Sequence, residues 1–244
     1  VSRRVLRAAG WGVGETCYRN RREPDALSTV RDAWKLLKRR LYVSGTTERA
    51  IVDDFHKLYH QTGKIQGSWG VTWRGRPVAQ NPMDLMAIAG IIQEQPLPVI
   101  EIGTGEGGSA LFWRDAGAPF VWTVDVNPPT LSLPTDDHRV RFMRGHSLIV
   151  AGALVGHALV ILDGDHAAET VAAELRAYVK FVPLGGYLIV CDTHFNGHPI
   201  APEFGPGPWE AVEAFLAERD DFVRDREVEP LFTFNPGGYL RRVK

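Results

Sequence analysis

Apolar positions from residue 97 onward fall into short runs that are hydrophobic almost without interruption. The runs "LPVIEIG" (97–103), "PFVWTVDV" (119–126), "RVRFM" (139–143), "HALVILD" (157–163) and "GGYLIVCD" (185–192) are rich in Val and Ile and bounded by turn residues. Strands of this kind are buried on both faces, which predicts a parallel sheet covered by helices. Between them the period changes. In "AAETVAAELRAYVKFV" (167–182), Val171, Leu175, Tyr178, Val179 and Val182 form one helical stripe, and Pro82 and Asp84 open a helix over "MDLMAIAGIIQEQ". Helical spacing also marks two amphipathic helices upstream, one through Val30, Trp34, Leu37 and Leu41 and one through Ile51, Phe55 and Leu58, broken near "SGTT". Residues 1–24 read as an extended arm, and 63–82 as a linker rich in Gly and Trp. After Asp192 come a Gly/Pro loop (193–208), a helix over "WEAVEAFLAER" and two final strands in "FVRDREV" and "LFTFNPGGYLRRV". The division expected is an N-terminal arm and helical extension over 1–80 and a catalytic core over 81–244.

Composition adds limits. The chain has 244 residues and a formal net charge of −1, with 44% hydrophobic and 23% charged residues. That suits one large α/β domain and argues against general attraction to nucleic acid or anionic membrane. The two cysteines, Cys17 and Cys191, form no CxxC pair, so neither a disulfide framework nor a structural zinc is expected. The opening stretch is basic like the start of a signal peptide, but Arg7 interrupts any apolar core, and no apolar run is long enough to span a bilayer, so the expected location is the cytoplasm.

The glycine-rich turn "EIGTGEGGSALF" (101–112) carries two registers. Gly103, Gly105 and Gly108 spell the dinucleotide fingerprint; Glu101, Gly103, Gly105 and Gly107 spell E-x-G-x-G-x-G, a pattern of S-adenosylmethionine (SAM) sites. Both place helix N-terminal amides close to a ligand. Neighbouring charge separates them: Glu101 and Glu106 would repel a pyrophosphate, whereas the ammonium and sulfonium of SAM favour carboxylates. Asp125 closes the next strand, where an acid can accept bonds from both ribose hydroxyls of either cofactor.

In an open parallel sheet, ligands gather outside the carboxyl ends of the strands. "LDGDH" (162–166) and "CDTH" (191–194) both reach that edge. Asp163 and Asp192 end strands expected to be adjacent, so their carboxylates converge on one hard cation such as Mg²⁺. His166 is placed to take the proton of a bound hydroxyl. Asp165 either ligates the metal or caps the following helix. His194 is a candidate for touching substrate. Trp69 and Trp73 lie in a segment that, with the late loop, is expected to close over the acceptor.

With these residues in view, the sequence from about 69 to 242 resembles the cephalosporin hydroxylase / rhamnosyl O-methyltransferase family. The resemblance rests on ordered blocks: "QNPMDL" (80–85), "EIGTGEGGSALF", "TVDV" (123–126), "LDGDH", "GGYLIVCDT" (185–193), "FGPGPWEAVEAFL" (204–216) and "TFNPGGYLRR" (233–242). It implies a class I, Rossmann-like SAM methyltransferase fold: a mostly parallel seven-stranded sheet with helices on both faces, behind an N-terminal helical extension. It implies SAM around Glu101, Gly103, Thr104, Gly105, Gly107, Ser109, Asp125 and Ser147. It further implies Mg²⁺ at Asp163 and Asp192, with His166 as base. Related metal-dependent enzymes end the fifth strand in two metal-binding residues, and here the first is Cys191, whose thiol is a poor Mg²⁺ ligand. Two carboxylates with water, or Asp165 as the missing oxygen, are the alternatives.

The reaction implied is O-methylation of a small natural product, a deoxysugar or antibiotic scaffold. The expected partners are that small-molecule acceptor and further copies of the chain in a homo-oligomer, with no nucleic acid and no membrane. The competing readings are a nicotinamide-dependent oxidoreductase on the same fold and a non-catalytic partner that keeps the fold without the chemistry.

Overall fold

The computed structural model describes residues 47–63, 71–129 and 138–244. In chain order the described elements are α1 (Glu48–Gly63), a small hairpin β1 (Thr72–Trp73) and β2 (Arg76–Pro77), α2 (Pro82–Glu94), β3 (Val99–Ile102), α3 (Gly108–Ala116), β4 (Val121–Asp125), β5 (Val140–Arg144), α4 (Ser147–Val150), β6 (Leu159–Leu162), α5 (Ala168–Tyr178), β7 (Tyr187–Val190), α6 (Pro208–Ala217), β8 (Phe222–Arg224) and β9 (Tyr239–Arg242).

Seven strands form one sheet in the order β5-β4-β3-β6-β7-β9-β8. Every pairing from β5 to β7 is parallel; β9 inserts antiparallel to β7 and pairs antiparallel with β8. This is the class I SAM-methyltransferase fold. The chain builds outward from β3 to β5, then crosses to β6 on the other flank of β3. The crevice between the carboxyl ends of β3 and β6 is therefore the topological switch point, where open α/β sheets bind ligands.

Alternation along the central strands shows why they read as continuous apolar runs. On β6, Leu159 and Ile161 face the core with α2 and α3, while Val160 and Leu162 face the core with α4, α5 and α6. Both faces are covered, so every position on the strand is apolar. Helix α2 starts where sequence chemistry places it: Asn81 caps it by accepting a bond from Met83 N (2.9 Å), and Pro82 occupies the first turn, where its missing N–H costs nothing.

The first upstream helix lies outside the described residues. Two other expectations change. The linker contains the β1–β2 hairpin. The last expected strand shrinks to Tyr239–Arg242, because residues 231–238 turn instead: Pro236 has no N–H to give a ladder, and Gly237 adopts φ 72°. Gly238 then passes so close to β7 that a Cβ there would lie 2.2 Å from the Val190 carbonyl oxygen.

Two of the sequence blocks are tied together by this turn. Asp84 on α2 is buried and accepts bonds from Thr233 Oγ1, Phe234 N (2.8 Å) and Tyr239 Oη (2.6 Å). Asn81 Nδ2 donates to the Phe232 carbonyl (2.6 Å), and Asn235 Oδ1 accepts from Asp192 N (2.9 Å). "QNPMDL" and "TFNPGGYLRR" thus hold one another, and through Asn235 they fix Asp192, two residues beyond β7.

Candidate active site

The glycine turn runs from β3 into α3. Gly103 has φ 94°, and a Cβ there would lie 1.9 Å from the Asp163 carbonyl oxygen, so only glycine allows the turn to pass this close to the end of β6. Asp125, at the end of β4, clamps the turn: its Oδ2 accepts from Thr104 N (3.1 Å) and Gly105 N (3.3 Å), and its Oδ1 from Asn127 N (2.9 Å). Arg76 of the hairpin donates to the Glu106 carbonyl (2.9 Å) and braces the other side.

A cavity of about 620 Å³ opens over this turn. It extends from Gly145–Ser147 past Asp125 and Gly103–Gly105 to Asp163 and Gln80, along the ends of four neighbouring strands. Among the described residues its wall includes the acidic side chains Glu106, Asp125, Asp163, Asp165 and Glu174, and no lysine or arginine. Such a wall suits a cationic ligand and repels a pyrophosphate.

At the β6–β7 edge, Asp163, His166 and Asp192 offer ligand atoms that all lie within 4.8 Å of one another. His166 Nε2 sits 3.3 Å from Asp192 Oδ2. Asp163 Oδ2 accepts from Gln80 Nε2 (2.9 Å), and the buried Cys191 thiol also bonds this carboxylate. Burial pushes both carboxyls well above the usual range; Asp163 is raised further by facing Asp192, and Asp192 by Asp84. Cys191 is buried in the core, and that burial, with the surrounding carboxylates, holds its thiol protonated. It serves Asp163 as a hydrogen-bond donor.

Residues 66–243 match the family model for rhamnosyl O-methyltransferase/CmcI. The chain belongs to this family. It is 34% identical to a rhamnosyl O-methyltransferase of Mycobacterium leprae over 222 residues, covering 82% of this chain and 95% of the relative. A rhamnosyl O-methyltransferase of Mycobacterium tuberculosis is 35% identical over 212 residues, covering 79% and 85%. Among solved structures, the apo form of CmcI-N160 aligns with a TM-score of 0.58 at 19% identity, over 100% of this chain and 96% of that one. The same protein with S-adenosylhomocysteine (SAH) aligns at 0.56 and 21% identity, over 71% and 83%.

Set within the rhamnosyl O-methyltransferase/CmcI fold, the expected site residues divide into groups. Gly103, Thr104, Gly105, Ser109, Asp125 and Ser147 lie on the cavity wall, as does Asp163, while His166 and Asp192 complete the edge cluster. Gly107 shapes the start of α3 at φ 78°.

Glu101 does not line the cavity. It is 0% exposed, and its oxygens accept from Trp113 Nε1 (2.7 Å) and Thr123 Oγ1 (2.6 Å), so it is spent inside the fold rather than facing a sulfonium. Asp165 Oδ1 accepts from Ala167 N (2.9 Å) and Oδ2 from Thr170 Oγ1 (3.0 Å), a turn leading into α5, whose N-cap is Ala167, and the Ala167 bond holds its carboxyl below the usual range.

Two substrate candidates also move. Trp73 packs on α3, its Nε1 donating to Asp115 Oδ2 (2.8 Å) and its ring edge-on to Phe112. His194 is 0% exposed, with Nδ1 2.5 Å from the Phe234 carbonyl and Nε2 2.7 Å from His60 Nε2; burial lowers its pKa well below the ordinary value. It backs Asp192, 3.6 Å away, from behind. Trp69 lies outside the described residues. The late loop is fastened to α6 through Glu210, which accepts from Asn196 Nδ2 (3.0 Å) and Gly207 N (2.7 Å).

Sequence reasoning missed Gln80 and Glu174 as wall residues. Glu174 had a visible signal: an acid inside the apolar stripe formed by Val171, Leu175 and Tyr178. Gln80 opens a block whose next residue, Asn81, has an evident capping role that masked it.

Proposed function

We propose that this chain transfers the methyl group of SAM to a hydroxyl of a deoxysugar or related natural-product scaffold. The observation that carries the reading is a cavity that runs along the acid-walled glycine turn to Asp163, which in turn belongs to the Asp163–His166–Asp192 cluster. Family membership supports the reaction class, since the matched relatives are named rhamnosyl O-methyltransferases. Phe204, 45% exposed and stacked on Phe195 (5.1 Å) beside His166, supports a pyranose acceptor, whose C–H faces pack on aromatic rings.

Asp163 and Asp192 fit a divalent cation. They are two facing carboxylates at adjacent strand ends, and their mutual repulsion is relieved by a hard cation that takes oxygen ligands. Asp163 and Asp192 would hold the Mg²⁺, which would supply Lewis acidity toward the acceptor hydroxyl. The chain's own residues do the rest. With Nε2–H given to Asp192, Nδ1 of His166 is the nitrogen that receives the acceptor's proton. Asp125 orients the ribose, and the turn positions the methionine portion. The acceptor oxygen forms its bond to the methyl carbon while the S–C bond breaks, leaving its electron pair on sulfur and discharging the sulfonium. Catalysis is then positioning plus a proton taken at one atom.

The reading carries a cytoplasmic homo-oligomer with it. No helix among the described residues is long and apolar enough to cross a membrane; light scattering of the purified protein tests the oligomer. The function itself is tested by incubating the protein with methyl-labelled SAM and a panel of rhamnosides and other deoxyglycosides. Label in an O-methyl product is expected. Absence of SAH binding alongside tight NAD binding contradicts the proposal.

A further inference from the structure

Glu174 is the one charged residue on the inward stripe of α5, and it is 2% exposed. Its Oε1 accepts from Ser147 Oγ (2.6 Å), and one turn later Tyr178 Oη donates to the Ser147 carbonyl (2.6 Å). These two bonds fasten the segment after β5 to α5. They leave Glu174 Oε2 buried with no hydrogen-bond partner. A buried carboxyl oxygen without a donor costs on the order of 1–3 kcal/mol, so a purely structural role would favour a shorter or apolar side chain there. Glu174 and Ser147 both line the cavity, which offers the missing donor a place.

The strand order fixes which part of a ligand arrives. Gly145–Ser147 follow β5, Asp125 ends β4, the glycine turn follows β3 and Asp163 follows β6, so these groups stand in that sequence along the cavity. A nucleoside with its ribose diol at Asp125 and its amino-acid arm toward Gly103 and Asp163 puts its base at the β5 end, beside Glu174. Adenine presents there an exocyclic amine with two N–H donors.

We propose that Glu174 is a specificity-determining residue that accepts a hydrogen bond from the 6-amino group of the cofactor's adenine. The proposal rests on the SAM reading above and extends it to base selection. A site built around an unpaired buried acceptor rejects a ligand that lacks the donor.

The test is calorimetric titration with SAH and with its 6-deamino analogue, the purine riboside, which loses only the amine. Wild-type protein is expected to bind the analogue about tenfold or more weakly, the scale of a hydrogen bond to a charged group. Glu174→Leu should erase that gap, and Glu174→Gln, which keeps a carbonyl acceptor, should retain most of it. Glu174→Met serves as a second acceptor-free variant should Leu disturb folding, with thermal melts reporting the fold separately. Equal affinity of the wild type for both ligands overturns the proposal and leaves Glu174 as a brace for Ser147. A gap that persists in the Leu and Met variants overturns it as well. Failure of SAH to bind at all instead removes the cofactor reading on which it stands.

Discussion

Glu101, fully buried, and the half-buried Asp163–Asp192 pair are acids at neighbouring strands of the sheet, and loss of water raises the carboxyl of each, Glu101 to about 7. They differ in what surrounds the oxygens. Glu101 is saturated by donors from the fold: Trp113 Nε1, Thr123 Oγ1 and Ser109. Asp163 and Asp192 face one another, with Gln80 and Cys191 on the first and His166 and His194 near the second. A perturbed pKa therefore does not by itself distinguish a structural acid from a working one. What distinguishes them is whether the fold has already satisfied the charge.

The largest effects should come from the unsatisfied pair. Asp163→Asn and Asp192→Asn, and His166→Ala beside them, should each slow methyl transfer by about 10²- to 10⁴-fold in single-turnover assays. For the two Asn variants the melting temperature should hold or rise, because the repulsion between like charges is gone. A fall in stability to match the fall in rate would erase the contrast with Glu101.

Glu101 should behave in the opposite way. Glu101→Ala should cost about 2–4 kcal/mol in chemical denaturation, since its buried donors, Trp113 Nε1 and Thr123 Oγ1 foremost, lose their acceptor. Glu101→Gln should be nearly silent in rate, because the Thr123–Thr104 hydroxyl pair (2.8 Å) can reverse its direction and accept the new N–H. A catalytic defect in Glu101→Gln with normal stability would place this acid in the chemistry after all.

Metal dependence sharpens the comparison further. EDTA should abolish methyl transfer. Mg²⁺ should raise the melting temperature of the wild type and leave that of Asp163→Asn unchanged. An equal shift in both would put the ion elsewhere.

The smallest effect concerns pH. With its carboxyl raised to about 7 in the folded state, Glu101 keeps a proton that the unfolded chain releases near its ordinary value. Its contribution to stability is present in full below that ordinary value and is lost as pH climbs through about 7, so unfolding free energy should decline between roughly pH 5 and 8. Glu101→Gln should flatten that slope by about 1–3 kcal/mol across the range. An unchanged slope would show that Glu101 stays ionised within the fold.

The contrast also explains what the sequence could and could not convey. The parallel strands were readable because both faces of each are buried, which leaves a run of Val and Ile that needs no partner to be recognised. Asp163, His166 and Asp192 were readable because the topology delivers strand ends to one edge. The burial of Glu101 was not legible because its bonds depend on Trp113 and Thr123, which arrive from α3 and β4. The burial of His194 was hidden for the same reason: its neighbours His60 and Phe234 lie 134 and 40 residues away. Motif blocks fared similarly. "QNPMDL" and "TFNPGGYLRR" marked the family, yet their visible work is mutual hydrogen bonding through Asp84, Asn81 and Asn235, a function legible only once β9 is seen beside β7.

The central claim is that Asp163, His166 and Asp192 form the reacting end of a SAM cavity, while Glu101 only supports it. A crystal structure with SAH and Mn²⁺, the metal located by its anomalous scattering, tests this most directly. The account predicts the ribose diol at Asp125, the thioether sulfur toward His166, Mn²⁺ between Asp163 and Asp192, and Glu101 still bonded to Trp113 and Thr123. A metal bound away from that pair, or SAH held by Glu101 with its sulfur turned from His166, would contradict it.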